Sequence, residues 1–399
     1  MKRFLFSINS LFLILIIIWR ELKRAFLPID DQLTSEKIPW REFDCEKYIF
    51  GSTDRRPNLV PKDPYLNHNF NQNISDSLPA DRDIQDLRSK ECKNLFPGRQ
   101  FHYENIKVSI IITFYNEAKS TLLRSIVSIL KKTPKNYLKE IILVDDFSDD
   151  VNIGLGLADL EYVRLFRNDK REGLIRSRIF GAERTSSSIL IFLDSHIECN
   201  KNWLPPLLSI LSQKIHSKTI VSPIIDTIHY DNFKIIKSSI YQTGGFNWDF
   251  NFKWDKIRLK SKLGEFIKDN PSENIKTAAI SGGIFAVRRH WFFESGGYDE
   301  RMELWGGENI EISIRNWLCG GRVLIAPCSR VAHVFRKENL IPYLRPDSDD
   351  ETILKNKKRV VKVWAESFEN IFYKYEPKAR NQEFLGNSFP VSMSHFRFR

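Results

Sequence analysis

Cysteine is scarce in this 399-residue chain, and the five present (Cys45, Cys92, Cys199, Cys319 and Cys328) are too few for a disulfide scaffold to stand in for a hydrophobic core. None lies in a Cys-x-x-Cys pair, so the usual spacing of structural zinc is missing. No internal repeat or low-complexity segment occurs. Zinc-finger spacing, an RNA-binding aromatic signature and a basic region leading into heptads are all absent, which excludes nucleic acid as the expected partner. The first strand-like run is not followed by Gly-x-Gly-x-x-Gly, which argues against a dinucleotide dehydrogenase.

What remains is a chain able to fill a substantial core, with 42% hydrophobic and 13% aromatic residues. Its formal charge of +11 is spread through Lys131-Lys132, Arg258 to Lys262 and Lys355 to Arg359, as on solvated faces. A nucleoside diphosphate suits this excess better than a polyanion does.

Near the N-terminus, Phe4 to Trp19 is apolar except for Ser7, Asn9 and Ser10, with Lys2 and Arg3 before it and Arg20, Lys23 and Arg24 after it. The run is short for a membrane span but usable in a thin bilayer with flanking side chains snorkelling. A cleaved signal peptide is the competing reading. Ala25 is the one small residue between Leu22 and Leu27, so no small-x-small cleavage site follows and an uncleaved signal anchor is expected. The expected layout is therefore a cytoplasmic tail at 1–3, an anchor at 4–20, a Pro- and Asn-containing stem and entry segment at 21–90 that gradually joins the folded domain, a catalytic domain at 91–378 and a short tail at 379–399. Within the domain, 108–220 is the nucleotide and metal half and 275–345 the sugar and acceptor half. Asn73-Ile74-Ser75 is an N-glycosylation sequon, consistent with a lumenal location.

Strong patterning starts at Val108. Val108 to Phe114 reads as a buried strand, and Asn116 as the cap of a helix carrying Ala118, Leu122, Leu123, Ile126, Val127 and Leu130. Glu140 to Val144 gives a second strand ending in Asp145-Asp146. A third near Tyr162 to Phe166 precedes a helix over Leu174 to Arg184, and a fourth, Ile189 to Leu193, runs into Asp194-Ser195-His196 before a helix over Trp203 to Ile215. This βαβ rhythm predicts an α/β fold with a mostly parallel central sheet flanked by helices. Such sheets bind ligands beyond the carboxyl ends of their strands, where both acidic clusters fall.

Asp194-x-His196 permits two readings. A carboxylate and an imidazole at one strand end are suitable ligands for a first-row divalent ion that would hold a diphosphate. Alternatively, Asp194 caps the next helix and His196 is a satisfied interior histidine. Trp305-Gly306-Gly307-Glu308-Asn309 is likewise either a surface turn or a segment whose glycines let backbone approach a sugar while carboxylate and amide discriminate its hydroxyls. Asp299 and Glu300 read as solvated loop charges.

Several further motifs occur in order: Phe70-Asn71-Gln72, Ser109 to Glu117 with Thr121 to Arg124, Lys139 to Asp146, Lys170 to Arg178, Phe192 to His196, Trp203 to Leu208, Gly244-Gly245-Phe246, Phe252-Lys253-Trp254, Trp305 to Asn309 and Cys328 to Lys337. From about Asn71 to Lys378 the chain resembles the polypeptide N-acetylgalactosaminyltransferase family. The resemblance implies a GT-A glycosyltransferase fold, a Mn²⁺ site of Asp194, His196 and His333, and a Golgi membrane protein of type II topology. It also implies retaining transfer of GalNAc from UDP-GalNAc to Ser and Thr hydroxyls of secretory polypeptides. Thr113, Asp146 and Arg171 would take the uridine part of the donor. Arg178, Asp194, Gly282, Gly283, Glu308 and Asn309 would take the sugar, and Trp305 and Arg336 the diphosphate region, with Trp305, Glu308 and Asn309 at the catalytic centre. By motif Glu308 is also the nearest candidate for the nucleophile of a double displacement, but sugar binding is its preferred role. Cys92 would pair with Cys328.

Two departures stand out. Glu338-Asn339-Leu340-Ile341-Pro342-Tyr343 replaces the family's His-Pro-Tyr-like lid, and Tyr115 stands where the family commonly has His. The family's Cys-rich lectin domain is not expected here. The altered lid leaves a second function open, a catalytically weak relative acting as a binding or regulatory protein.

Overall fold

Seven residues between Val108 and Phe114, all buried and mostly β-branched, form the strand around which the sheet is laid. The computed structural model describes residues 37–51, 63–98, 103, 106–337, 349–384 and 386. Its strands are β1 (Val108–Phe114), β2 (Leu138–Asp145), β3 (Val163–Arg167), β4 (Ile189–Leu193), β5 (Ile197–Cys199), β6 (Thr219–His229), β7 (Ile235–Ile236), β8 (Gln242–Phe246), β9 (Phe252–Lys256), β10 (Ile275–Lys276), β11 (Phe285–Arg288) and β12 (Arg322–Phe335). The main sheet runs β10-β12-β6-β11-β4-β1-β2-β3, with β5 on β12 and β7 on β6, while β8 and β9 form a separate hairpin.

The sheet is mixed rather than mostly parallel. β1, β2, β3 and β4 pair in parallel, as do β6 and β12, but β11 lies antiparallel to both β4 and β6. The βαβ rhythm legible in the sequence ends near residue 220. Beyond it a strand no longer alternates regularly with a helix, and β11, whose neighbours in the sheet are β4 and β6, enters it antiparallel to both. Alternation along β1 sends Ile110 and Ile112 into one hydrophobic layer and Ile111 into the other, so both faces are covered.

Helices Lys119–Lys132, Leu174–Glu183 and Leu204–Leu211 lie where the patterning puts them, the last ending short of Ile215. Asn116 is not the expected cap: it sits at φ 47°, and its amide exchanges 2.8 Å hydrogen bonds with Asp149. Ala118 occupies the cap position without a side-chain bond. Asp299 is not a solvated charge either. It is 1% exposed and accepts from Arg359 Nε at 2.7 Å and Nη2 at 3.0 Å, a buried pair joining the loop to helix Asp349–Trp364, whereas Glu300 is exposed.

The stem and entry segment packs on the domain from Lys37 onward wherever it is described. Ile38 bridges to Leu160, Tyr48 donates to the Ile153 carbonyl at 2.7 Å, and Phe70 is fully buried. Arg82 forks onto Glu198 at 2.7 and 2.8 Å. The Cys92–Cys328 disulfide is present and fastens this segment to the bulge of β12, with Cα atoms 5.0 Å apart across 236 residues of sequence. Cys45, Cys199 and Cys319 are free thiols.

Asn73 is half-buried in the short helix Gln72–Ser77, and the hydroxyl of Ser75 is engaged by Arg124 at 2.6 Å and Ser120 at 2.7 Å. The sequon is thus part of a packed helix rather than the exposed loop such an acceptor favours. The apolar run Phe4 to Trp19, the loop Glu338 to Tyr343 and residues 387–399 lie outside the described residues, among which no helix is long and apolar enough to cross a membrane.

Removing the disulfide by Cys92→Ser and Cys328→Ser together is expected to cost about 2–5 kcal/mol of stability. Denaturant unfolding of the oxidised wild type and the double variant checks this, and coincident transitions would show that the bridge contributes nothing.

Candidate functional site

The end of β4 and the far end of β12 are brought together by β5. Asp194-Ser195-His196 links β4 to β5, and β5 pairs antiparallel with β12 so that His333 stands opposite Ile197. The Val334 amide donates to the His196 carbonyl at 3.1 Å. The His196 and His333 rings are 4.7 Å apart between centroids, and His333 Nε2 lies 3.3 Å from Asp194 Oδ2. The other Asp194 oxygen accepts from Arg178 Nη2 at 2.7 Å.

Burial pushes the Asp194 carboxyl up, but His333, Arg178 and His196 outweigh it and hold the group well below the usual carboxylate range. Burial lowers the His333 imidazole below its ordinary value, which favours the neutral ring that a metal requires. His196 Nδ1 is engaged by Glu117 Oε2 at 2.7 Å, leaving Nε2 as its outward nitrogen. His333 Nδ1 is buried without a hydrogen-bond partner. One ionised carboxylate and two imidazoles suit a first-row divalent ion. Among the described residues these donors do not already stand at metal-holding spacing, since Asp194 and His333 bond to each other. Of the two readings of Asp194-x-His196, helix capping is excluded for Asp194 because the next helix begins at Leu204, capped by Trp203.

Beyond β2, Asp146 organises the loop that follows β3. Its carboxylate is ion-paired with Arg171 and accepts from Asn168 Nδ2 and the Glu172 amide at 2.8 Å, and from the Gly173 amide at 2.9 Å. The Arg171 guanidinium lies 3.7 Å from the Tyr115 ring centre, so the tyrosine that replaces a histidine here supports a cation–π contact. Thr113, near the end of β1, lies beside Val144, two residues before Asp146 in sequence. The three residues assigned to uridine thus share one sheet end.

Arg178 reaches Asp194 from helix Leu174–Glu183 and also donates to the Tyr298 hydroxyl at 3.3 Å. A Cβ on Gly283 would overlap its guanidinium, so any larger residue there would have to displace the arginine. Gly282, at φ +68°, has open space around it. Glu308 opens helix Glu308–Leu318 fully buried, accepts from the Gly306 amide at 2.7 Å, and is raised above the ordinary glutamate value by burial. Asn309 donates to the Ile280 carbonyl at 3.0 Å and thereby ties this helix to the segment that leads into Gly282 and Gly283. Trp305 is half-buried, with its carbonyl held by Asn356 at 3.1 Å. The loop is anchored where Leu174 N donates to the Leu304 carbonyl at 2.9 Å.

Sequence reading missed Glu117 and Tyr298 as parts of the site. Glu117 ends one of the ordered motifs and Tyr298 lies in none, and nothing local says that one carboxylate after β1 would face a histidine 79 positions away. Arg336 joins the site through that same carboxylate at 3.3 Å and is braced by the His68 carbonyl at 2.5 Å.

Residues 109–294 match the model of glycosyl transferase family 2, and residues 267–338 that of the N-terminal domain of galactosyltransferase. The chain is 45% identical over 346 residues to polypeptide N-acetylgalactosaminyltransferase 16 of Homo sapiens, covering 87% of this chain and 59% of that protein. It is 40% identical over 350 residues to polypeptide N-acetylgalactosaminyltransferase 4 of Caenorhabditis elegans, covering 87% and 57%. It therefore spans less than two thirds of the length of these curated relatives. The crystal structure of GalNAc-T7 with UDP, GalNAc and Mn²⁺ superposes with a TM-score of 0.72 at 32% identity, over 91% of this chain and 65% of that one. With a GT-A fold, this set of strand-end side chains and identities of this size across most of its length, the chain is similar to the polypeptide N-acetylgalactosaminyltransferases.

Proposed function

We propose that this protein transfers GalNAc from UDP-GalNAc to Ser and Thr hydroxyls of polypeptides, the first step of mucin-type O-glycosylation. The observation that carries the reading is the meeting of Asp194, His196 and His333 at one sheet edge, with Arg178 bridging toward the Glu308 side and Arg336 beside His196's partner. The relatives' names supply the donor and acceptor classes. Asp194, His196 and His333 would hold a divalent ion, Mn²⁺ by family, and such an ion neutralises the charge that a diphosphate gains on leaving.

The chain's own residues do the remaining work. Arg336 offers a guanidinium for phosphate oxygens. Arg178, immobilised between Asp194, Tyr298 and the Gly283 backbone, presents a fixed positive charge where the sugar meets the diphosphate. Glu308 and Asn309 hold the sugar side of the cleft. Glu308 is bound to the Gly306 amide and is better disposed to accept a sugar hydroxyl than to act as a nucleophile, which favours departure of UDP and attack by the acceptor hydroxyl on the same face. The same reading places the domain on the lumenal side of the Golgi membrane, behind an anchor formed by Phe4 to Trp19, with the acceptor polypeptides arriving from the secretory pathway.

Incubation of the purified protein with UDP-GalNAc, Mn²⁺ and a pool of Ser/Thr-rich peptides is expected to give GalNAc adducts by mass spectrometry. Well-folded protein that modifies none of a broad pool would favour the noncatalytic relative instead. Asp194→Ala or His333→Ala is expected to abolish the Mn²⁺-dependent part of UDP binding measured by calorimetry while leaving the far-UV circular dichroism unchanged. Gly283→Ala should displace Arg178 and lower kcat/KM for the donor by about tenfold or more, as expected for losing a charge-assisted contact of roughly 1.5–3 kcal/mol. Unaltered kinetics would remove Arg178 from the donor site.

A further inference from the structure

We propose that Glu117 is a positioning residue that ties the imidazole of His196 and the guanidinium of Arg336 to one buried carboxylate, and so links metal affinity to the nucleotide-diphosphate site. The inference rests on the donor and metal reading above. Glu117 acts through His196 and Arg336 rather than on the ion or the nucleotide itself. It is 3% exposed, in the short turn between β1 and helix Lys119–Lys132.

Its two oxygens have separate tasks. Oε1 accepts from the Ala118 amide at 3.0 Å and lies 3.2 Å from Thr121 Oγ1, whose one proton is shared with the Ala118 carbonyl at 2.9 Å, and this holds the carboxylate to the first turn of the helix. Oε2 accepts from Ser195 Oγ at 2.8 Å, His196 Nδ1 at 2.7 Å and Arg336 Nη2 at 3.3 Å. An acceptor at Nδ1 selects the tautomer that carries its proton there, so the lone pair is left on Nε2, the nitrogen turned from Glu117. The same oxygen restrains Arg336, whose other terminal nitrogen donates to the His68 carbonyl at 2.5 Å and whose guanidinium lies 5.3 Å from the Phe70 ring centre.

The consequence is specific. A glutamine at this position keeps the volume and can still accept from Ala118, but its amide N–H₂ turned toward His196 would push the ring to the opposite tautomer and would repel Arg336. A merely structural carboxylate would cost stability alone. A positioning carboxylate also changes ligand affinities in a folded protein.

The test is metal titration of the full-length protein by electron paramagnetic resonance of free Mn²⁺, without nucleotide, alongside UDP calorimetry in EDTA and in Mn²⁺. Glu117→Gln is expected to weaken Mn²⁺ binding about 10- to 100-fold. It should also lower UDP affinity in EDTA, and combining it with Arg336→Ala should lose little beyond Arg336→Ala alone. Thr121→Val, which removes the Thr121 contact to Oε1 and leaves the Ala118 amide in place, is expected to weaken Mn²⁺ a few-fold, and it decides the matter if Glu117→Gln does not fold. Mn²⁺ affinity within twofold of wild type in a folded Glu117→Gln, or in Thr121→Val when Glu117→Gln is unfolded, overturns the proposal. Failure of the wild type to bind Mn²⁺ at all would instead sink the donor and metal reading on which it rests.

Discussion

The site depends on pairing a three-residue strand, β5, against the end of the fourteen-residue β12. That register puts His333 opposite Ile197 and carries its ring to Asp194 and His196, more than a hundred residues earlier in the chain. β12 is held in place over a long front because it also pairs with β6 for nearly its whole length. A bulge between Ala326 and Arg330 lets the strand bend there, and the disulfide at Cys328 pins the bend to the N-terminal segment. Sheet pairing of this kind has many backbone bonds and a buried face, so its register is strongly specified.

Around this junction charge is buried in chains rather than in isolated pairs. Arg178 lies between Asp194 and Tyr298, Glu117 between His196 and Arg336, and Asp146 among Arg171, Asn168 and two backbone amides. Removing one partner from such a chain leaves an uncompensated charge in a low-dielectric setting, which is why these groups are sensitive positions for both fold and affinity. Farther out, Asp299–Arg359 and the Trp364–Glu311 hydrogen bond fasten helix Asp349–Trp364, which carries Asn356, to the loop before Trp305 and to the helix that begins with Glu308. Arg315 further donates to the Ser295 and Gly297 carbonyls at 2.5 Å, so the turn before Tyr298 is held from the same helix that begins with Glu308.

The N-terminal residues are more than a tether. His68, Phe70 and Asn69 meet Arg336 and Lys337 at the end of β12, immediately before the loop that departs from the family's lid sequence. A segment whose composition suggests a linker thus braces one of the proposed phosphate contacts. Its isolated aromatics, spaced without period, are explained by this role: Phe70 and Phe233 pack edge to face in a small cluster of their own.

The sequence by itself determined the first half of the fold, because from Val108 to Leu211 the short β-branched runs and helical spacing reflect local burial that each segment must satisfy. It also marked Asp146, Asp194 and His196, since strand ends in such a sheet are where ligands gather. Tertiary structure alone decided the antiparallel placement of β11, the burial of Asp299 against Arg359, and the loss of Asn116 as a cap to its exchange with Asp149. It alone set the contacts of His333 with Asp194 and gave Glu117 both His196 and Arg336 as partners. The physical reason is range. Periodicity and capping report on neighbours within a turn or a strand, whereas pairing register and buried charge are settled by residues that meet only when the whole sheet has closed.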